Sequence, residues 1–157
     1  MNPTIYLTNF SSRRLHGPGA VYTMMGAPRA FEQGQGRVQN LRPHGADELR
    51  LMRAALAERK AGQTGDALAR YRRALESRWT HQTGLLAPGA LLVMRPAVFA
   101  TSTVIDDCRA VEDGDTVCCG CSREHASQGL CHRAWAAPFL VRAGWRVILD
   151  GQEVTLG

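Results

Sequence analysis

The residues in this chain best suited to chemistry are its thiols. Val117-Cys118-Cys119-Gly120-Cys121 is followed ten residues later by Cys131-His132-Arg133, so four of the five cysteines fall between residues 118 and 131. Thiolate sulfur and imidazole nitrogen are zinc ligands. Cys119, Cys121, Cys131 and either His125 or His132 make a four-ligand set within one short segment. If a strand runs through the first three cysteines, its side chains alternate. Cys119 and Cys121 then share a face, and Cys118 points the other way as a small buried core residue. A thiolate site competes with the metal. Cys131 stands where a helix should begin, and a helix N-terminus with Arg133 beside it lowers a thiol pKa or binds a ligand phosphate. In that reading Cys131 is a nucleophile and His132 an acid–base group. The plainest alternative is that Cys131 and His132 start the helix and pack inward.

A second polar group follows the first hydrophobic run. Thr4-Ile5-Tyr6-Leu7-Thr8 reads as a strand, and it leads into Asn9-Phe10-Ser11-Ser12-Arg13-Arg14. The amide, hydroxyls and guanidinium groups of Asn9, Ser11, Ser12, Arg13 and Arg14 suit phosphate, ribose or carboxylate. Arg29, after Gly26-Ala27-Pro28, is a candidate for the same mouth, and Arg133 for its far wall. As a solvated polar turn, the same stretch needs no ligand.

These groups need elements to position them. Ala20–Met25 and Ala90–Met94 read as further strands, and 32–44 as a long loop. Asp47–Ala61 carries Leu49, Met52 and Leu56 on one helical face, and Thr64 caps a second helix with Leu68, Tyr71 and Leu75. The arginines on their outer faces read as solvated. Ser102 or Thr103 caps a predicted helix through Val104–Val111. Thr116–Cys119 is then a strand, the 122–130 segment a loop, Arg133–Ala143 a helix ended by Gly144, and Trp145–Leu149 a strand. Strands separated by helices predict a single α/β domain over 1–157, with a three-layer, Rossmann-like, mostly parallel sheet flanked by helices. In such a sheet the first turn and the cysteine loop open on the same carboxyl edge.

Composition sets outer bounds. The chain has 157 residues, 45% of them hydrophobic and 21% charged, an ordinary globular balance. The formal charge is +5, carried by eighteen arginines and one lysine and concentrated before residue 81. That excess suits a phosphate-bearing ligand, a nucleic acid or an acidic protein. The first residues lack a basic and apolar leader, and the longest apolar run, Leu85–Met94, is too short for a membrane span. The expected location is the cytoplasm, where clustered thiols stay reduced or bind metal rather than form a disulfide framework.

The order strand, Cys119-Gly120-Cys121, loop, Cys131-His132-Arg133, helix and strand resembles the small prokaryotic α/β families called domains of unknown function 488 and 4326. Ile5-Tyr6-Leu7-Thr8-Asn9-Phe10-Ser11 is loosely similar to the first strand and serine-bearing turn of the former. The resemblance covers about a third of the chain and implies a fold rather than an activity. The expected function is binding of a nucleotide or other phosphate-bearing ligand at the carboxyl edge of the sheet, with action on that ligand left open. The alternative is a non-enzymatic binder of nucleic acid or acidic protein, of the phage accessory type, knotted by a zinc–cysteine cluster. Neither reading places the protein in a membrane.

Overall fold

A computed structural model describes residues 1–24, 36–63, 65–96, 105–121 and 123–157. They form an α/β fold in two compact units, one of residues 1–42 with 83–157, the other of residues 43–82.

The larger unit holds an eight-stranded sheet. Its strands are β1 (Thr4–Asn9), β2 (Val21–Thr23), β3 (Arg37–Val38), β4 (Leu92–Pro96), β5 (Ile105–Ala110), β6 (Thr116–Cys119), β7 (Arg146–Leu149) and β8 (Gln152–Glu153), in spatial order β5-β4-β3-β2-β6-β1-β7-β8. The expectation of a mostly parallel sheet is corrected: the sheet is mixed. β3, β2, β6, β1 and β7 run parallel, while the β3–β4, β4–β5 and β7–β8 pairs are antiparallel. The β7–β8 pair is antiparallel because its two-residue connection, Asp150-Gly151, can only turn the strand back on itself. The segment expected as a helix through Val104–Val111 is strand β5 over Ile105–Ala110. Paired with β4 from Leu92↔Ala110 onward, it takes its conformation from that neighbour and not from local spacing.

One face of the central sheet is apolar: Ile5, Leu7, Val93, Val117 and Val147 are in register and fully buried. The opposite face is also covered, with Thr8, Thr116 and Cys118 fully buried there. Beside β1, the turn before β6 is closed by a carboxylate. Asp115 Oδ1 accepts from Ala20 N–H at 2.9 Å and its Oδ2 from Glu112 N–H at 2.8 Å. Gly17 lies so close to the Tyr6 ring and the Gly114 carbonyl that no side chain fits there.

The smaller unit is a helix pair, α1 (Gly45–Lys60) and α2 (Ala67–His81). Glu48 at the first turn of α1 accepts from His44 N–H at 3.0 Å, a side chain satisfying an otherwise orphan donor. Tyr71, Leu75 and Trp79 of α2 are buried at helical spacing, whereas Leu56 of α1, expected inward, is exposed. Arg78 is not a solvated helix-face arginine: its Nε is 2.9 Å from Glu48 Oε2, tying the two helices together. Thr64, the expected cap, lies outside the described residues.

Two further helices return to the larger unit. They are α3 (Arg123–Ser127), inside the segment expected to be a loop, and α4 (His132–Arg142). α3 is too short for a hydrophobic period to show in the sequence. No helix among the described residues is long and apolar enough to cross a membrane.

Candidate metal centre

Three sulfurs converge where β6 ends. The Sγ atoms of Cys119, Cys121 and Cys131 lie within 4.8 Å of one another, and those of Cys119 and Cys131 are 2.8 Å apart. Cys119 is the last residue of β6, and Cys131 is the N-cap of α4, with its carbonyl accepting from Trp135 N–H at 3.1 Å. Cys121 lies past the strand end, so the alternation of a continuing strand is not what brings it to Cys119. The chain turns at Gly120, and that turn delivers the third sulfur. Ala126 of α3 packs against the Cys119–Cys131 pair, which is fully buried, while Cys121 is half-buried.

Arg133 organises the site. Expected on the wall of a ligand pocket and outside the core, it is instead completely buried. Its Nη1 donates to Cys119 Sγ at 3.0 Å and to the Cys121 carbonyl at 2.7 Å, and lies 3.6 Å from Cys131 Sγ. Its Nε and Nη2 each reach Asp150 Oδ2 at 3.2 Å. Asp150 Oδ1 accepts in turn from the Thr8 hydroxyl at 2.9 Å. A buried guanidinium needs such a full set of acceptors, since water cannot supply them. Desolvation is the largest single influence and works against its charge, but the Cys119 and Cys131 sulfurs and the Asp150 carboxylate together outweigh it and raise its pKa overall.

Sequence reasoning missed Asp150. It follows β7 directly and has φ +47°, and Gly151 after it has φ +85°. Two positive φ values between antiparallel strands are the signature of the tight hairpin that Asp-Gly favours, so the dipeptide was the available signal. The hairpin turns the carboxylate back onto Arg133.

The remaining candidate residues divide clearly. Cys118 is buried away from the cluster, with its sulfur 3.7 Å from both the Asn9 carbonyl and His16 Nε2. Burial, with the neighbouring Cys119, pushes its thiol up to about 12. The lowered pKa expected for Cys131 is reversed. Hydrogen bonding to the Cys119 and Cys121 sulfurs, together with burial, raises it, and the helix terminus does not compensate. The His132 ring stacks at a tilt on Trp135, with centroids 4.9 Å apart, and burial brings its pKa down to about 4. It is therefore neutral near pH 7 and has no proton to give as an acid. His125 lies on α3, but its side chain, like all of Arg29, is outside the described residues.

The first turn does sit beside the cysteines. β1 and β6 pair in parallel with Asn9 opposite Cys119, so the segments leaving them emerge on one edge. Asn9 Oδ1 accepts from Ser12 N–H at 2.9 Å and from the Ser11 hydroxyl at 3.3 Å, folding the turn back on itself. Arg13 and Arg14 follow in a single 3₁₀ turn, both exposed. An open cleft of about 510 Å³ on the same side is lined by Arg123, Glu124, Ala126 and Ser127 of α3 and its end, and by Leu149, Asp150 and Gln152 of the hairpin.

No protein-family model, curated protein or solved structure matches this chain. The geometry alone therefore carries the chemistry: three convergent thiols can hold a metal ion.

Proposed function

We propose that the chain is a zinc-binding α/β protein, with its ion held by Cys119, Cys121 and Cys131 and a phosphate-bearing ligand such as a nucleotide taken up by the basic turn beside it. The convergence of three sulfurs within 4.8 Å carries this reading. Zinc–thiolate bonds of about 2.3 Å set tetrahedral ligand sulfurs about 3.8 Å apart. The Cys119 and Cys131 sulfurs, 2.8 Å apart, need to separate by only about an ångström to match that spacing. Three thiolates around a divalent ion leave one net negative charge, which the Arg133 guanidinium offsets through its contact with Cys119 Sγ. The fourth position is left to a water molecule.

The ligand half rests on the shared edge of β1 and β6 and on the exposed guanidinium groups of Arg13 and Arg14. Asn9, Ser11 and Ser12 shape that turn and hold the arginines outward. The raised pKa of Cys131 and the neutral imidazole of His132 favour a binder over an enzyme that uses them as nucleophile and acid. The rival, a diffuse nucleic-acid binder on the arginine-rich surface, differs in its salt dependence.

Elemental analysis of freshly purified protein tests the centre: about one zinc per chain is expected, and none from the Cys119→Ser/Cys121→Ser double variant. A folded protein that never takes up zinc overturns the reading. Titration with nucleoside diphosphates and short oligonucleotides tests the ligand half. Oligonucleotide binding abolished by salt, with no nucleotide binding, would favour the rival.

A further inference from the structure

We infer that Cys119 and Cys131 form a peroxide-sensitive pair whose oxidation to a disulfide empties the metal centre. The release of metal rests on the zinc reading above; the disulfide does not. The two sulfurs lie 2.8 Å apart, and both residues are sealed from solvent, at 1% and 0% exposure. Arg133 Nη1 lies 3.0 Å from Cys119 Sγ but 3.6 Å from Cys131 Sγ, which stabilises negative charge on Cys119 more than on its partner. Cys119 is therefore the attacking sulfur and Cys131 the resolving one.

The approach is narrow. Ala126 covers the pair and also lines the open cleft that Asp150 borders, and the only partly exposed sulfur of the cluster is Cys121. Ala126 must shift to admit any oxidant, and hydrogen peroxide needs a far smaller shift than a tripeptide disulfide. Selection by size thus sets the oxidant class.

The chemistry balances in two steps. Cys119 thiolate attacks one peroxide oxygen; the S–O bond forms, the O–O bond breaks and hydroxide leaves, giving a sulfenic acid. The Cys131 thiol then attacks the Cys119 sulfur; the S–S bond forms, the S–O bond breaks, and the departing hydroxide takes the thiol proton and leaves as water. Two electrons pass from the two sulfurs to the peroxide, and a solvent proton converts the first hydroxide to water. Cys121 alone cannot retain the ion.

The test uses zinc-loaded full-length protein carrying Cys108→Ser, which removes the exposed cysteine among the described residues as a competitor. After one to two equivalents of hydrogen peroxide, disulfides are mapped by mass spectrometry and released zinc is followed with a chromogenic chelator, beside a metal-free arm. A 119–131 crosslink in both arms, with about one zinc released per chain, is expected. Oxidised glutathione should produce at least tenfold less crosslink over the same time. Cys131→Ser should stop at a sulfenic acid on Cys119, trapped by a dione reagent; if that variant is unfolded, the wild-type map decides. Absence of the 119–131 crosslink in either arm overturns the inference, as does equal reaction with glutathione disulfide. A protein that binds no zinc yet forms the crosslink refutes the metal reading alone.

Discussion

Replacing Arg133 by methionine keeps an aliphatic stem of similar length and removes the one positive charge inside the cysteine site. The Arg133 side chain is 0% exposed and that of Asp150 16%, so the pair is buried and screening by solvent is weak. Without the guanidinium, Asp150 keeps the Thr8 hydroxyl, while the Cys121 carbonyl loses a donor at 2.7 Å. Breaking a buried ion pair from one side costs about 3–5 kcal/mol, because the surviving charge is stranded. The lost carbonyl bond belongs to the same group and is not added separately. For a chain of this size the loss corresponds to a melting temperature lower by roughly 6–20 °C. Removing both charges should strand neither, so Arg133→Met/Asp150→Asn should recover about 1–3 kcal/mol relative to Arg133→Met alone. Denaturant unfolding of the chelator-treated wild type, both single variants (Arg133→Met and Asp150→Asn) and the double variant, followed by circular dichroism, gives all terms of the cycle. A single-variant loss under about 1 kcal/mol, or a double variant no more stable than the single, would refute the placement of Arg133 as a buried organising charge.

Three other outcomes are expected. Gly17→Ala should cost about 1–3 kcal/mol in urea unfolding, because its methyl would run into the Tyr6 ring and the Gly114 carbonyl, whereas Gly84→Ala, with nothing within 4 Å, should be near neutral. The His132 imidazole stays neutral in the fold down to about 4 but takes up its proton near 6.5 when unfolded, so its contribution to stability is full above 6.5 and is lost as pH falls toward 4. In metal-free protein that loss should be about 3 kcal/mol and should shrink in His132→Phe, read from unfolding midpoints between neutral and acid pH. Arg13→Ala/Arg14→Ala should weaken nucleoside diphosphate binding about tenfold by calorimetry, with Arg72→Ala/Arg73→Ala unchanged; equal weakening by both pairs would point to diffuse attraction.

Some of this molecule is determined locally. The apolar runs at Thr4–Asn9, Thr116–Cys119 and Arg146–Leu149 are strands, and Ala67–His81 is a helix, because their periods suit one backbone conformation and their ends carry their own stop signals. The crowding of thiols between residues 118 and 131 likewise marks the cluster before any folding is considered. Tertiary structure decided what short range cannot specify. The Ile105–Ala110 segment is extended because β4 offers it a ladder, and β3 and β8, two residues each, exist only through their pairing. The charge balance of the site was decided the same way. Asp150 lies seventeen residues from Arg133, and Thr8 142 residues from Asp150, so only the parallel register of β1 between β6 and β7 brings the carboxylate, the hydroxyl and the guanidinium together. That assembly turned Arg133 from a surface ligand contact into the buried counter-charge of the cysteines. A buried charge is placed where its partners converge, and convergence is a property of the whole fold.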